Sequence, residues 1–257
     1  MNHRLCVYGL MLLILTACGG CGGGGASSPL PPPPPAPVAT NPGGLWLGST
    51  FDNDTGLTFQ AGGIVSENRE GRFINENGVQ FTLTGISGND GAIEATIVAI
   101  APFGSFFRDG SASTTGTLTG TVAERSGLSG NWALNTGETG TVTMSYQTLY
   151  DRGSSLADVA SMWTDPFGAT WSIDGAGAMF SQDAFGCTYS GTIGIIDPMF
   201  NAYSLQATVA GNCGGIEGNY SGLAFTDDVV TGTGTNDLLV IQMDNGDFIF
   251  TEEWLRQ

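Results

Sequence analysis

Residues 203–209, Tyr203-Ser204-Leu205-Gln206-Ala207-Thr208-Val209, alternate apolar and polar side chains without interruption. Successive side chains of a β-strand point to opposite faces, so this run reads as a strand with one face on a core and the other in water. Val142-Thr143-Met144-Ser145-Tyr146-Gln147 and Val79-Gln80-Phe81-Thr82-Leu83-Thr84 repeat the pattern. Between such runs stand Asn77-Gly78, Asp109-Gly110, Asp174-Gly175 and Asn245-Gly246. These are the dipeptides of two-residue hairpins, whose central residues both take positive φ. The sequence therefore predicts an all-β chain arranged as an antiparallel meander.

Working outward from these runs, about eight strands fit between Leu45 and Tyr150 and about eight between Gly168 and Glu252, the spacing of small sandwiches and barrels. The expected fold is two tandem antiparallel β-barrels or sandwiches, a first domain over 45–153 and a second over 154–257. The halves look alike. Leu45-Trp46 opens one and Met162-Trp163 the other, a Gly- and Thr-rich middle follows, and TVTMSYQTLYDR and DFIFTEEWLR close them, as an ancient duplication would leave them. Gly191 and Gly194 fall inside predicted strands, where a missing side chain relieves crowding at a barrel bend. One helix is expected, over Ser154–Met162 between the halves, with Ser155 and Asp158 at capping-box spacing.

The chain has 257 residues and carries 7 basic side chains, all Arg, against 24 acidic ones; its single His is His3. Without Lys, and with its only His at the extreme N-terminus, the rest of the chain cannot build a Ser/His/Asp triad, a Cys/His dyad, a His-ligated zinc site or a Schiff base. The net charge is −17, and removal of Arg4 with a leader would make it −17 − 1 = −18. Such a chain repels nucleic acid and anionic membrane surfaces, so no nucleic-acid partner is expected.

The N-terminus reads MNHRLCVYGLMLLILTAC: Arg4, an apolar run from Leu5 to Ala17, then Leu15-Thr16-Ala17-Cys18. The run is too short to span a bilayer, which takes about 20 residues, and has the form of a signal-peptide core. Leu-Thr-Ala-Cys resembles the lipobox of bacterial lipoproteins. That resemblance implies a signal peptide over 1–17, lipid attachment at Cys18 and membrane association through that anchor. Gly19, in place of the Asp that retains such proteins in the inner membrane, implies the outer membrane, with the periplasmic and surface faces both open. An ordinary secretory leader is the alternative. Residues 18–44 form a tether: Gly-rich first, then a polyproline spacer, with 8 of the 11 prolines before residue 45.

Cys6 lies in the leader and Cys18 is assigned to lipid, which leaves Cys21, Cys187 and Cys213. In an oxidising compartment Cys187 and Cys213, one at each end of neighbouring strands, are the natural disulfide. Asp52-Asn53-Asp54-Thr55-Gly56 carries the alternating oxygens of a calcium loop, so Asp52 and Asp54 are weak calcium candidates. Asp244-Asn245-Gly246-Asp247 and Asn89-Asp90-Gly91 invite the same reading. Turn chemistry explains all three more simply. Asp54-Thr55-Gly56 also matches the aspartic-protease tripeptide, but there is no second copy to share the proton. Nothing selects a carboxylate pair for glycoside hydrolysis. Trp46, Trp132, Trp163, Trp171 and Trp254 are read first as core and second as the floor of a pocket.

With its lipobox, tether and Gly-rich strands, the chain is similar to the β-barrel surface lipoproteins of the transferrin-binding-protein-B-like group and, more loosely, to lipocalins. The likeness is one of style and carries over no site residue. The expectation is a non-enzymatic binding module without cofactor, taking a small apolar ligand inside a barrel or an envelope protein on its outer loops. The alternative is a structural envelope protein whose barrels are filled by their own side chains.

Overall fold

The computed structural model describes residues 35–165, 168–183, 186–229 and 235–257. The expected signal peptide, Cys18 and Cys21 lie outside the described residues. The fold is all-β: two closed, eight-stranded antiparallel barrels in tandem, each an up-and-down meander. The first contains β1 (Gly44–Asp52), β2 (Leu57–Val65), β3 (Gly71–Asn75), β4 (Gln80–Ser87), β5 (Ala92–Ile100), β6 (Ser113–Ala123), β7 (Gly127–Leu134) and β8 (Thr139–Gln147). A 3-10 turn (Thr148–Asp151) and one turn of helix, α1 (Leu156–Val159), lead into the second. Its strands are β9 (Ser161–Thr164), β10 (Thr170–Ile173), β11 (Ala178–Gln182), β12 (Thr188–Ile195), β13 (Tyr203–Ala210), β14 (Gly218–Asp227), β15 (Leu238–Asp244) and β16 (Ile249–Arg256).

Alternation dictates which face is inside. Tyr203, Leu205, Ala207 and Val209 are buried in the second barrel, and Val142 and Met144 in the first. Apolar residues fill the lumen while Thr, Ser and Gln face out, the reverse of a membrane-spanning barrel. Eight strands enclose a space that side chains alone can fill. Glycine permits close strand approach where a side chain would collide. A Cβ on Gly191 would strike the backbone of Gln206, whereas one on Gly194 would meet only the movable Ser204 hydroxyl. Of the two glycines, Gly191 is therefore the one the curvature requires.

Two expectations about local structure are corrected. The predicted helix over 154–162 is reduced to one turn, because Ser161–Thr164 is drawn into β9 by pairing with β10. The cap is present: the Ser155 hydroxyl accepts from the Asp158 amide at 3.3 Å and donates to its carboxylate at 2.8 Å. The hairpin dipeptides do not form turns with two positive φ values. At Asn77-Gly78 and Asn245-Gly246 only the Gly has positive φ, and in the Asp174 turn it is Gly177 that does. These are turns closed by a left-handed Gly, and each is capped by the side chain of the Asn or Asp that opens it. Asp109-Gly110 sits within the long loop between β5 and β6. Consecutive positive φ values occur instead at Asp90-Gly91, between β4 and β5, and at Gly214-Gly215, between β13 and β14.

The two halves correspond beyond strand number. Trp46 and Trp163 sit on the first strand of their barrels, both fully buried. Each indole N–H donates to a carbonyl four residues back, Pro42 at 3.1 Å and Val159 at 2.8 Å, tying the incoming segment across the barrel end. Across the closing seam, Trp46 faces Tyr146 and Trp163 faces Arg256. The seams differ in length: β1 and β8 are in register from Leu45 to Asp52, whereas β9 and β16 pair at two positions.

The barrels also share a contact. Leu45 and Ile64 from outside the first barrel, Leu223 from outside the second, and Tyr150 and Ala202 form a third buried cluster. Beside it, Gln80 and Thr82 were expected on a wet face but are buried. The Asp244 carboxylate covers them, accepting from Thr82 at 2.8 Å and Gln80 at 3.2 Å, and pairs with buried Arg72 at 3.2 Å. Burial lowers the Arg72 pKa, and the charge of Asp244 counters that effect. Asp244 thus serves as an inter-barrel anchor, while its second oxygen caps its own turn through the Gly246 amide.

Candidate functional site

In the first barrel, β1, the turn between β2 and β3, and the turns after β4 and β6 set one end; the other end carries the turns 53–56, 76–79 and 135–138 and the loop 101–112. The chain enters at the first end and is fastened there well before β1. Ala39 bridges to Asn89, Thr40 is buried with its hydroxyl accepting from the Gly91 amide at 2.9 Å, and the Asn41 side chain donates to Glu67 at 2.9 Å. Contacts with the first barrel therefore begin near Val38, ahead of β1. Trp46, Tyr146 and Tyr150 close this end with edge-on ring contacts.

The opposite end is open. A mouth of about 480 Å³ is rimmed by Asp52, Phe106, Phe107 and Glu138. Beneath it lies an apolar cavity of about 50 Å³ walled by Phe73, Phe81, Leu83, Leu118, Trp132 and Met144. Phe81, Trp132 and Thr50 line both, so the cavity lies directly behind these side chains at the floor of the mouth. Trp132 lies over Gly140, its cross-strand partner, where any side chain would collide with the indole. The Trp132 indole N–H is buried and has no acceptor among the described residues. Of the five tryptophans, Trp132 is the one placed at a pocket; Trp46, Trp163, Trp171 and Trp254 are buried core.

Arg108 shapes the rim. Its guanidinium pairs with Asp54 at 2.9 Å and its amide donates to Glu138 at 2.7 Å, joining the loop 101–112 to the turns on either side. The hydrogen bond to Arg108 holds the Asp54 carboxyl below its ordinary range. Asp52 caps its own turn, accepting from the amides of Asp54 at 2.7 Å and Thr55 at 3.1 Å. The two calcium candidates are thus committed to a turn and to an arginine. Among the described residues no group of three His, Cys, Asp or Glu side chains converges for a metal. Phe103 is 97% exposed and Phe106 66%, both beside the mouth. This loop is marked in the sequence by Pro102-Phe103-Gly104-Ser105-Phe106-Phe107, aromatic side chains in a stretch without strand alternation, a signal missed above.

Among the described residues the lumen of the second barrel is packed with aromatic side chains. Trp171 stacks on Trp254 at 4.3 Å and leans on Tyr189 at 5.0 Å, and Phe250 meets Tyr220 at 5.0 Å. Glu252 enters this aromatic lumen and accepts from the Trp254 indole at 2.7 Å. Burial raises its pKa, the indole hydrogen bond lowers it, and the charge of Asp165 raises it further. The disulfide Cys187–Cys213 joins the loop before β12 to the loop after β13 and closes one end of this barrel.

Compared with known proteins, the chain matches no family, no curated protein and no solved structure.

Proposed function

We propose that the protein is a lipid-anchored binding protein of the bacterial outer membrane, acylated at Cys18, which takes a small apolar ligand through the mouth of its first barrel. The observation that carries this reading is the placement of the open, apolar cavity at the end of the barrel opposite the one where residues 38–43 are fastened. A ligand approaching from solution meets the mouth, while the anchored end is closed. Exposed Phe103 and Phe106 beside the mouth give an arriving apolar molecule a first contact, and the cavity removes its end from water at about 25 cal/mol per Å². The cavity is small, so it takes the end of a molecule while the wider mouth holds the rest. No catalytic step is assigned.

The filled second barrel favours the structural reading for that half. It supports the first barrel through the Asp244 contact, and no ligand is assigned to its lumen. Native mass spectrometry of the protein as the cell makes it tests the proposal. Bound mass that leaves on denaturation is expected, and Leu118→Trp, which plugs the cavity, should remove it with the protein still folded. A bare protein mass, with no apolar probe such as 1-anilinonaphthalene-8-sulfonate displaced from the mouth, would overturn it.

A further inference from the structure

The loop between β5 and β6, residues 101–112, forms one wall of the mouth of the first barrel, which Pro102, Ser105, Phe106 and Phe107 line. Its base continues the ladder of the two strands, since the Ala101 amide donates to the Ala112 carbonyl at 2.8 Å. Beyond that base the loop bonds to itself: the amides of Ser105, Phe107 and Gly110 donate to the carbonyls of Pro102, Ser111 and Phe107. Among the described residues, the hydrogen bond and the ion pair that reach from the loop to the rest of the barrel both start from Arg108.

Arg108 fastens the loop on both sides. Its guanidinium pairs with Asp54 at 2.9 Å in the turn after β1, and its amide donates to the Glu138 carboxylate at 2.7 Å in the turn before β8. Both members of the ion pair meet water, Arg108 being 55% and Asp54 31% exposed, and such a pair is weak and screened by salt. The strand walls of the mouth are held by ladder hydrogen bonds along their length, whereas this wall is held at one residue. It is also the wall in the way. The apolar cavity lies behind Phe81 and Trp132, and Phe107 packs against the same core while lining the mouth beside them.

We propose that loop 101–112 is a flap on the mouth of the first barrel and that Arg108 is its latch. When Arg108 releases Asp54 and Glu138, the flap swings on its Ala101–Ala112 base, Phe107 withdraws, and the floor at Phe81 and Trp132 is laid open to the ligand. The assignment rests on the mouth being the ligand site and adds how entry to it is controlled. Because the latch is an exposed ion pair, ionic strength sets how often the flap is open.

Two measurements on the full chain test the latch without a ligand. Hydrogen exchange reads the amide of residue 108, and acrylamide quenching of fluorescence reads Trp132, because the other four tryptophans are at most 4% exposed. Arg108→Asp sets a carboxylate against Asp54 and Glu138 and should speed both exchange and quenching about two- to fivefold, the weight of one exposed ion pair. Adding Asp54→Arg restores the pair with its charges reversed and should return both to the native values. An unchanged melting temperature across the three proteins separates release of the flap from loss of the fold. Raising sodium chloride from about 0.05 to about 0.5 M needs no substitution: it should speed both readouts in the native chain and not in Arg108→Asp. Failure of either readout to rise in Arg108→Asp, a double variant that stays released, or a native chain indifferent to salt would each overturn the proposal. A mouth that binds no apolar probe would refute the ligand reading alone, since neither readout uses a ligand.

Discussion

Arg256 lies directly across the seam of the second barrel from Trp163, its guanidinium 4.8 Å from the centre of the indole ring. It also donates to the Asn236 carbonyl at 3.2 Å and to the Asp158 carbonyl at the end of the helical turn. One side chain therefore joins the last strand, the first strand and the segment that crosses the barrel end. In the first barrel the same position is held by Tyr146, edge-on to Trp46 at 5.6 Å, where a much longer seam carries the closure.

Replacing this clamp should open the second barrel at its short seam. Arg256→Ala is expected to cost about 2–4 kcal/mol, from the cation–π contact and the charge-assisted hydrogen bonds together. Arg256→Lys should recover only part, because an ammonium cannot reach both carbonyls while stacking on the ring. Hydrogen exchange would show lost protection first in β9 and the end of β16. Unchanged protection there would refute the clamp.

Asp244 and Arg72 form an ion pair with side chains 11% and 6% exposed. Removing one partner strands a buried charge, so Asp244→Ala should cost about 3–5 kcal/mol. Arg72→Met combined with Asp244→Leu should cost clearly less than the sum of the single changes. Urea unfolding of the four proteins in the cycle measures the coupling, and strict additivity would show that the contact is incidental.

Cutting the Cys187–Cys213 bond, which spans 26 residues, removes about 3.5 kcal/mol by the loop-entropy relation. At about 2–4 °C per kcal/mol, reduction should lower the melting temperature by roughly 10 °C. Calorimetry with and without dithiothreitol checks this, and the loss should be the same in a Cys187→Ala, Cys213→Ala double variant without reductant.

Glu252 titrates above the ordinary glutamate range in the folded chain because the aromatic lumen desolvates it. Between its unfolded and folded pKa values the folded state binds more protons, so this group subtracts stability as pH rises through that window. Glu252→Gln still accepts from the Trp254 indole and carries no charge. It should raise the melting temperature at pH 7, with the gain shrinking as pH falls toward the ordinary glutamate value. A gain independent of pH would refute the assignment.

Much of the fold was legible because it is written in local chemistry. The alternation over Tyr203–Val209 places each residue on the correct face, and the disulfide follows from two cysteines that flank neighbouring strands. The helix was overread because Ser155 and Asp158 do cap, but the residues after Val159 find strand partners that outweigh their helical spacing. The mouth of the first barrel was invisible for a different reason: Trp132 reads like any tryptophan on an alternating strand, and only Gly140 opposite it frees the ring to line a cavity.

The strands, their inward and outward faces, the two equal halves and the disulfide are set by local chemistry, since period-two alternation and turn residues act over a few neighbouring positions. Closure of each half into a barrel, the mouth of the first, the aromatic packing in the second and the contact between the halves all depend on segments far apart in the chain. Thr82 and Asp244, 162 residues apart, show why. Each reads as a solvated side chain in its own segment, and each is buried because the other arrives, a pairing that depends on the shape of two closed barrels and on no local pattern.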